Sequence, residues 1–150
     1  MSIIKKEGKF LTDGHWWEKR TNLRYTTNSF NVLFQQTHRN KAETFYIVTY
    51  SLSDMQVLKK LNLKDTTIFV NKKFKSQVIT LAKKYTNILF YVNDEIHLKL
   101  YMNDSGKIIF GSQNFNESKW VEGLFEIKDL DFYHLLKDKI IVPRVISSEE

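Results

Sequence analysis

From residue 42 onward the hydrophobic positions switch repeatedly between a strand period and a helix period. Phe45, Tyr46, Ile47, Val48, Thr49 and Tyr50 form a β-branched and aromatic run of strand length. Ser53 followed by Gln56 has the form of a capping box, with Ser53 as N-cap, and predicts a helix reaching Leu61. Residues 66–70 read as a second strand. Phe74, Val78, Leu81 and Ala82 recur at helical spacing, which predicts an amphipathic helix over 74–85, and residues 88–92 form a third strand. Residues 96–102 and 107–110 are strand-like and flank Asn103, Asp104, Ser105 and Gly106, a cluster of turn formers, so a hairpin is expected. Another strand over 122–127 and a last helix over 131–139 complete the pattern. Residues 29–38 have the form of a helix, and 1–26 read as irregular structure or a short edge element. Strands alternating with helices predict an α/β fold, a mixed sheet covered on its faces by helices in a single domain.

The division expected is an N-terminal arm over 1–41 packed on the core, a catalytic domain over 42–142, and a C-terminal tail over 143–150 that ends as a frayed acidic segment. No internal repeat or low-complexity stretch interrupts it, and Pro143 is the sole proline. A chain of 150 residues suffices for one domain with a real core.

Composition narrows the function classes. There is no cysteine, which excludes disulfides, zinc–thiolate sites and cysteine nucleophiles. No apolar run is long enough for a signal peptide or a membrane span, so a cytoplasmic protein is expected. Lys and Arg number 23 against 17 Asp and Glu, a formal net charge of +6 that attracts polyanions and equally keeps a protein in solution.

Candidate chemistry concentrates at the hairpin. Read as a strand, residues 96–102 put His97, Lys99 and Tyr101 on one face and Ile96, Leu98, Leu100 and Met102 on the other. The second hairpin strand ends in Gly111, which permits a close backbone approach, followed by Ser112 and Asn114 as neutral hydrogen-bond donors. A nucleophile or base, a cation and neutral donors are what a phosphodiester site needs if no metal neutralises the developing charge. His15, His38, His97 and His134 are scattered, and no metal-ligating spacing links them.

The pattern His97-x-Lys99, four residues, Asp104, six residues, Gly111-Ser112-x-Asn114 resembles the motif that defines the phospholipase D-like phosphodiesterases. The likeness extends over about residues 43–128. Residues 47–54 are similar to the family's first core strand, and 122–127 to the strand after the motif. The resemblance implies the phospholipase D-like α/β/α fold and a metal-independent hydrolase without cofactor. It implies a histidine nucleophile that forms a phosphohistidine, with His97 also serving as general acid. Lys99 and Asn114 would hold the phosphate oxygens, and Ser112 would add a hydrogen bond. Glu122, or alternatively Glu126, would orient the His97 ring, and Asp104 would brace the turn. The chain carries one motif where the chemistry uses two histidines, and small single-motif relatives answer this with a homodimer sharing one site.

A nuclease on DNA or RNA is the first expectation. A phosphodiesterase acting on lipid or a small substrate, and a nucleic-acid-binding module of the same fold without turnover, are the alternatives. Nucleic-acid contacts fall to Trp16, Trp17 and Arg20, or these rings instead anchor the N-terminal arm. Lys72 and Lys73 are contacts of the same kind, or simply solvated positions beside a helix.

Overall fold

The computed structural model describes residues 24–26, 43–116 and 122–149. Among the described residues seven strands form one sheet: β1 (Arg24–Thr26), β2 (Thr44–Thr49), β3 (Asp65–Asn71), β4 (Ile88–Asn93), β5 (Leu100–Asn103), β6 (Lys107–Gly111) and β7 (Leu124–Lys128). Their spatial order is β1-β7-β6-β5-β2-β3-β4. The mixed character is sharply divided. β2, β3 and β4 are parallel, and every other pairing is antiparallel.

The parallel half requires crossovers, and helices α1 (Gln56–Leu61) and α2 (Lys75–Lys84) supply them. Both cover the same face. Val57, Leu58 and Leu61 of α1 and Val78 and Leu81 of α2 join Phe45, Ile47, Ile68, Val70, Tyr101 and Ile109 in one core cluster. The opposite parity of the same strands, with Val48, Phe69, Leu100, Met102 and Ile108, packs with Tyr133 and Ile141 from the C-terminal helical segment. The central strands are thus covered twice, which is why residues 66–70 of β3 are all buried instead of alternating between buried and exposed.

Two helix boundaries differ from those expected. The N-cap of α1 is Met55, without a side-chain cap, and not Ser53. The chain at Leu52 is held extended by a parallel bridge to Phe115, and the Asp54 carboxylate is drawn away to Lys84 and Tyr85. A capping box needs its N-cap backbone free to enter the helix, and this one is not. At the other end, α3 (Leu130–Leu136), capped by Asp129 accepting from Phe132 N, does not stop at 139. It passes through a π-turn (Lys137–Ile141) into α4 (Val142–Glu149), so the helix runs on into the segment 147–149 expected to fray. Pro143 has no N–H, and its ring crowds the carbonyl four residues back. The wider turn, with Val142 N–H donating to Lys137 O, lets the helix continue past it.

The hairpin forms at the expected turn. Gly106 adopts φ 90°, donates to Asn103 O at 3.0 Å, and accepts from Asp129 N at 2.8 Å. The edge element anticipated before residue 26 is β1, lying beside β7. The helix anticipated over 29–38 and the rest of the N-terminal arm lie outside the described residues. Among the described residues no helix is long and apolar enough to cross a membrane.

Asp54 clamps the start of α1 to the end of α2. Its carboxyl is held below the ordinary aspartate value, first by the bond from Lys84 and then by that from Tyr85. A lowered folded-state pKa means that the stabilisation is present at neutral pH and is lost as the pH falls through the folded value. Asp54→Asn should therefore lower the thermal midpoint at pH 7. The deficit against wild type should shrink as the pH is taken below 3.8, measured by thermal melts across an acid series.

Candidate active site

The division of the sheet into parallel and antiparallel halves creates the site. β4 ends at the outer edge, yet β5 must begin on the far side of β2, so the chain crosses the C-terminal ends of β3 and β2. Such a reversal of strand order leaves a crevice at the carboxyl ends of the strands. His97 and Lys99 lie on this crossing segment. Regular β5 starts only at Leu100, so His97 and Lys99 precede the strand instead of projecting from within it. Of the expected apolar face, Ile96, Leu100 and Met102 are buried in the second core, and Leu98 alone departs from it at 43% exposed.

What holds the segment is contact with the strand ends beneath it. Asn71, closing β3, donates from Nδ2 to Ile96 O at 2.7 Å, and the Ile96 side chain is buried in the second core. Tyr50, just past β2, places its ring 5.4 Å from the His97 ring, and Lys99 Nζ lies 5.9 Å over the same ring. A partly exposed cation–ring contact of this kind contributes about 0.5–1 kcal/mol. Tyr50 is itself backed by Phe74, edge to face at 5.3 Å.

Asn114 reaches the same place from β6. Its Oδ1 accepts Tyr50 N–H at 2.9 Å and also lies 3.2 Å from Thr49 Oγ1. A backbone N–H only donates, so the amide orientation is fixed and Nδ2 is left as a donor. Thr49, wholly buried, donates to Ser51 O at 2.8 Å and accepts Phe115 N–H at 2.9 Å, which seats the turn after Gly111 on the end of β2. Tyr101, the third residue expected on the His97 face, points into the core and donates to Gln113 O. Burial above all pushes its phenol pKa far up, so it stays protonated.

Ser112 and Glu122 form a separate pair. Ser112 Oγ donates to Glu122 Oε1 at 2.9 Å and accepts Gly123 N–H at 3.0 Å. Glu122, rather than Glu126, is therefore the carboxylate at this end of the sheet. Its observed hydrogen bond is with Ser112, not with His97 as anticipated. Among the described residues no side chain hydrogen-bonds the His97 ring. The close approach expected at Gly111 is to the neighbouring strand: a Cβ there would lie 2.0 Å from Gly123 O.

Asp104 sits at the opposite end of β5, accepting Glu43 N–H at 3.2 Å. Lys72 and Lys73 follow Asn71 directly and are exposed on the site's side of the sheet. Trp16, Trp17 and Arg20 lie outside the described residues. Among the described residues no three His, Asp or Glu side chains gather as metal ligands.

Thr49, Tyr50 and Asn71 were not singled out from the sequence. The signal available was a polar or amphipathic residue ending an otherwise apolar parallel strand, which is where such sheets place ligands.

No protein-family model matches the chain. No curated protein sequence matches it either. Solved structures do. NucT from Helicobacter pylori superposes with a TM-score of 0.62 at 16% identity, covering 84% of this chain and 97% of that one. Nuc from Salmonella typhimurium, a phospholipase D family member, gives 0.58 at 20% identity, covering 78% and 91%. TrmBL2, an archaeal chromatin protein with a novel mode of DNA binding, gives 0.55 at 16% identity; 92% of this chain is covered, which spans 59% of that longer protein. The chain has the phospholipase D-like fold.

Gly111→Ala should destabilise the protein by about 3 kcal/mol, because the methyl meets backbone that cannot rotate away. Denaturant unfolding would register this as a lower midpoint.

Proposed function

We propose that this protein is a nuclease, a metal-independent phosphodiesterase that cleaves DNA or RNA through a covalent phosphohistidine at His97. The observation carrying this reading is the convergence of His97, Lys99 and the Asn114 amide around Tyr50 at one end of the sheet. An imidazole can attack phosphorus, while an ammonium and an amide donor stabilise the equatorial oxygens. Ser112, held by Glu122, adds a further donor or acceptor at the rim.

The reaction is a double displacement. A neutral His97 nitrogen forms a bond to phosphorus, and the P–O bond to the leaving nucleoside breaks. The departing oxygen takes a proton from a second, protonated histidine. That histidine, now neutral, accepts a proton from water as the water oxygen bonds to phosphorus. The P–N bond breaks and His97 is restored. One motif supplies one such histidine, and His134 lies on α3, which starts beside Gly106 at the end of the sheet opposite the site. Two copies related by a two-fold axis would bring two His97 rings to one phosphate. His97 is exposed, and the apolar Leu98 beside it is uncovered in the single chain, which suits a surface that a second copy buries.

Polynucleotide is favoured over a small diester by the basic residues that continue from the site. Lys72 and Lys73 leave β3 directly after Asn71, and Phe74 connects them by ring contact to Tyr50. They are positioned to meet phosphates flanking the scissile one. The similarity to NucT and Nuc supports the same reading through shared fold.

Labelled single- and double-stranded DNA and RNA, incubated with excess EDTA, should be cut by wild type. His97→Ala should lower the rate at least about a thousandfold. Adding a tenfold excess of that variant should suppress wild-type cleavage about tenfold, since random pairing leaves few dimers with two intact histidines. Cleavage abolished by EDTA would sink the metal-independent reading. Undiminished cleavage in the mixture would sink the shared site.

A further inference from the structure

We infer that Tyr50 is a positioning residue for both His97 and Lys99, acting through the face and edge of its ring rather than through its hydroxyl. The inference rests on the reading of His97 as the reacting group. It is carried by what the crossing segment lacks. His97 and Lys99 precede β5, so no strand ladder fixes their backbone, and among the described residues no hydrogen bond fixes the imidazole. A ring so placed would sweep several rotamers, and a misplacement of about 1 Å can cost about a hundredfold in rate.

Tyr50 is tied at every other point. Its N–H donates to Asn114 Oδ1 at 2.9 Å, and its carbonyl accepts Asn71 N–H at 3.3 Å. Its ring is set edge to face on Phe74 at 5.3 Å. Against this fixed ring lie the His97 imidazole, at 5.4 Å and 57° between planes, and the Lys99 ammonium, 5.9 Å from the centroid. The same Asn71 whose N–H donates to the Tyr50 carbonyl also donates from Nδ2 to Ile96 O, in the peptide immediately before His97. Backbone and ring together therefore make one residue the common reference for Asn114 on one side and for His97 and Lys99 of the crossing segment on the other. The half-buried ring leaves the outer side of the imidazole free for substrate.

The test compares wild type, Tyr50→Phe and Tyr50→Leu in two readouts, the NMR signals of the His97 ring protons and cleavage kinetics in EDTA. The wild type alone should show cross-relaxation between Tyr50 and His97 ring protons, a result that needs no variant to fold. Tyr50→Phe should keep the His97 resonances near their wild-type positions and keep kcat within about threefold. Tyr50→Leu should move those resonances through loss of the ring current. It should lower kcat about a hundredfold while KM stays within about threefold, because orientation and not binding is lost. Absent cross-relaxation between the assigned rings overturns the inference. So does a folded Tyr50→Leu protein with unmoved resonances, or Tyr50→Phe as impaired as Tyr50→Leu. If wild-type protein cuts no substrate, the nuclease reading fails while the NMR arm still decides the role of Tyr50.

Discussion

The side-chain Oδ1 of Asn114, held by Tyr50 N–H and beside the buried Thr49 hydroxyl, joins the ends of β2 and β6 across β5. These strands are not neighbours, and their ends would otherwise be independent loops. Once they are joined, the turn after Gly111 is seated, the Asn114 amide is oriented, and Tyr50 is fixed in place to meet the crossing segment. Thr49 is wholly buried and Phe115 belongs to the first core, so the polar link is shielded from competing water. A hydrogen bond in that setting is costly to leave unmade, which makes the arrangement specific rather than merely favourable.

Gly111 sets the complementary constraint on the other side. β7 passes so near that only hydrogen fits there, and this closeness brings Gly123 N–H onto Ser112 and the Glu122 carboxylate beside it. The site is thus an assembly of strand ends, with side chains from β6, the approach to β7 and the β4–β5 crossing. The helices cover the faces and contribute their charges at the margin.

Much of this was legible in sequence because it depends on local pattern. The strand runs at 45–50, 66–70 and 88–92, the amphipathic helix near 74–85 and the turn ending in Gly106 each follow from period or turn chemistry within a short window. The spacing of His97, Lys99, Gly111, Ser112 and Asn114 was legible for the same reason. Readings failed where a distant partner decided the outcome. Ser53 resembles an N-cap, but the bridge from Leu52 to Phe115 and the pull of Lys84 and Tyr85 on Asp54 move the helix start to Gln56. Residues 96–99 resemble a strand, but the topology requires them to cross two strand ends first. The roles of Tyr50 and Asn71 exist only through that crossing, so no local pattern announces them.

The proposed mechanism requires His97 to become covalently linked to phosphorus during turnover. The most direct measurement is intact-protein and peptide mass spectrometry on enzyme quenched in alkali within one turnover of an oligonucleotide, conditions under which a phosphoramidate survives. The mechanism predicts a nucleotidyl adduct confined to the peptide containing His97, absent from His97→Ala and released by mild acid. Turnover without any adduct, or an adduct on another residue, would contradict it.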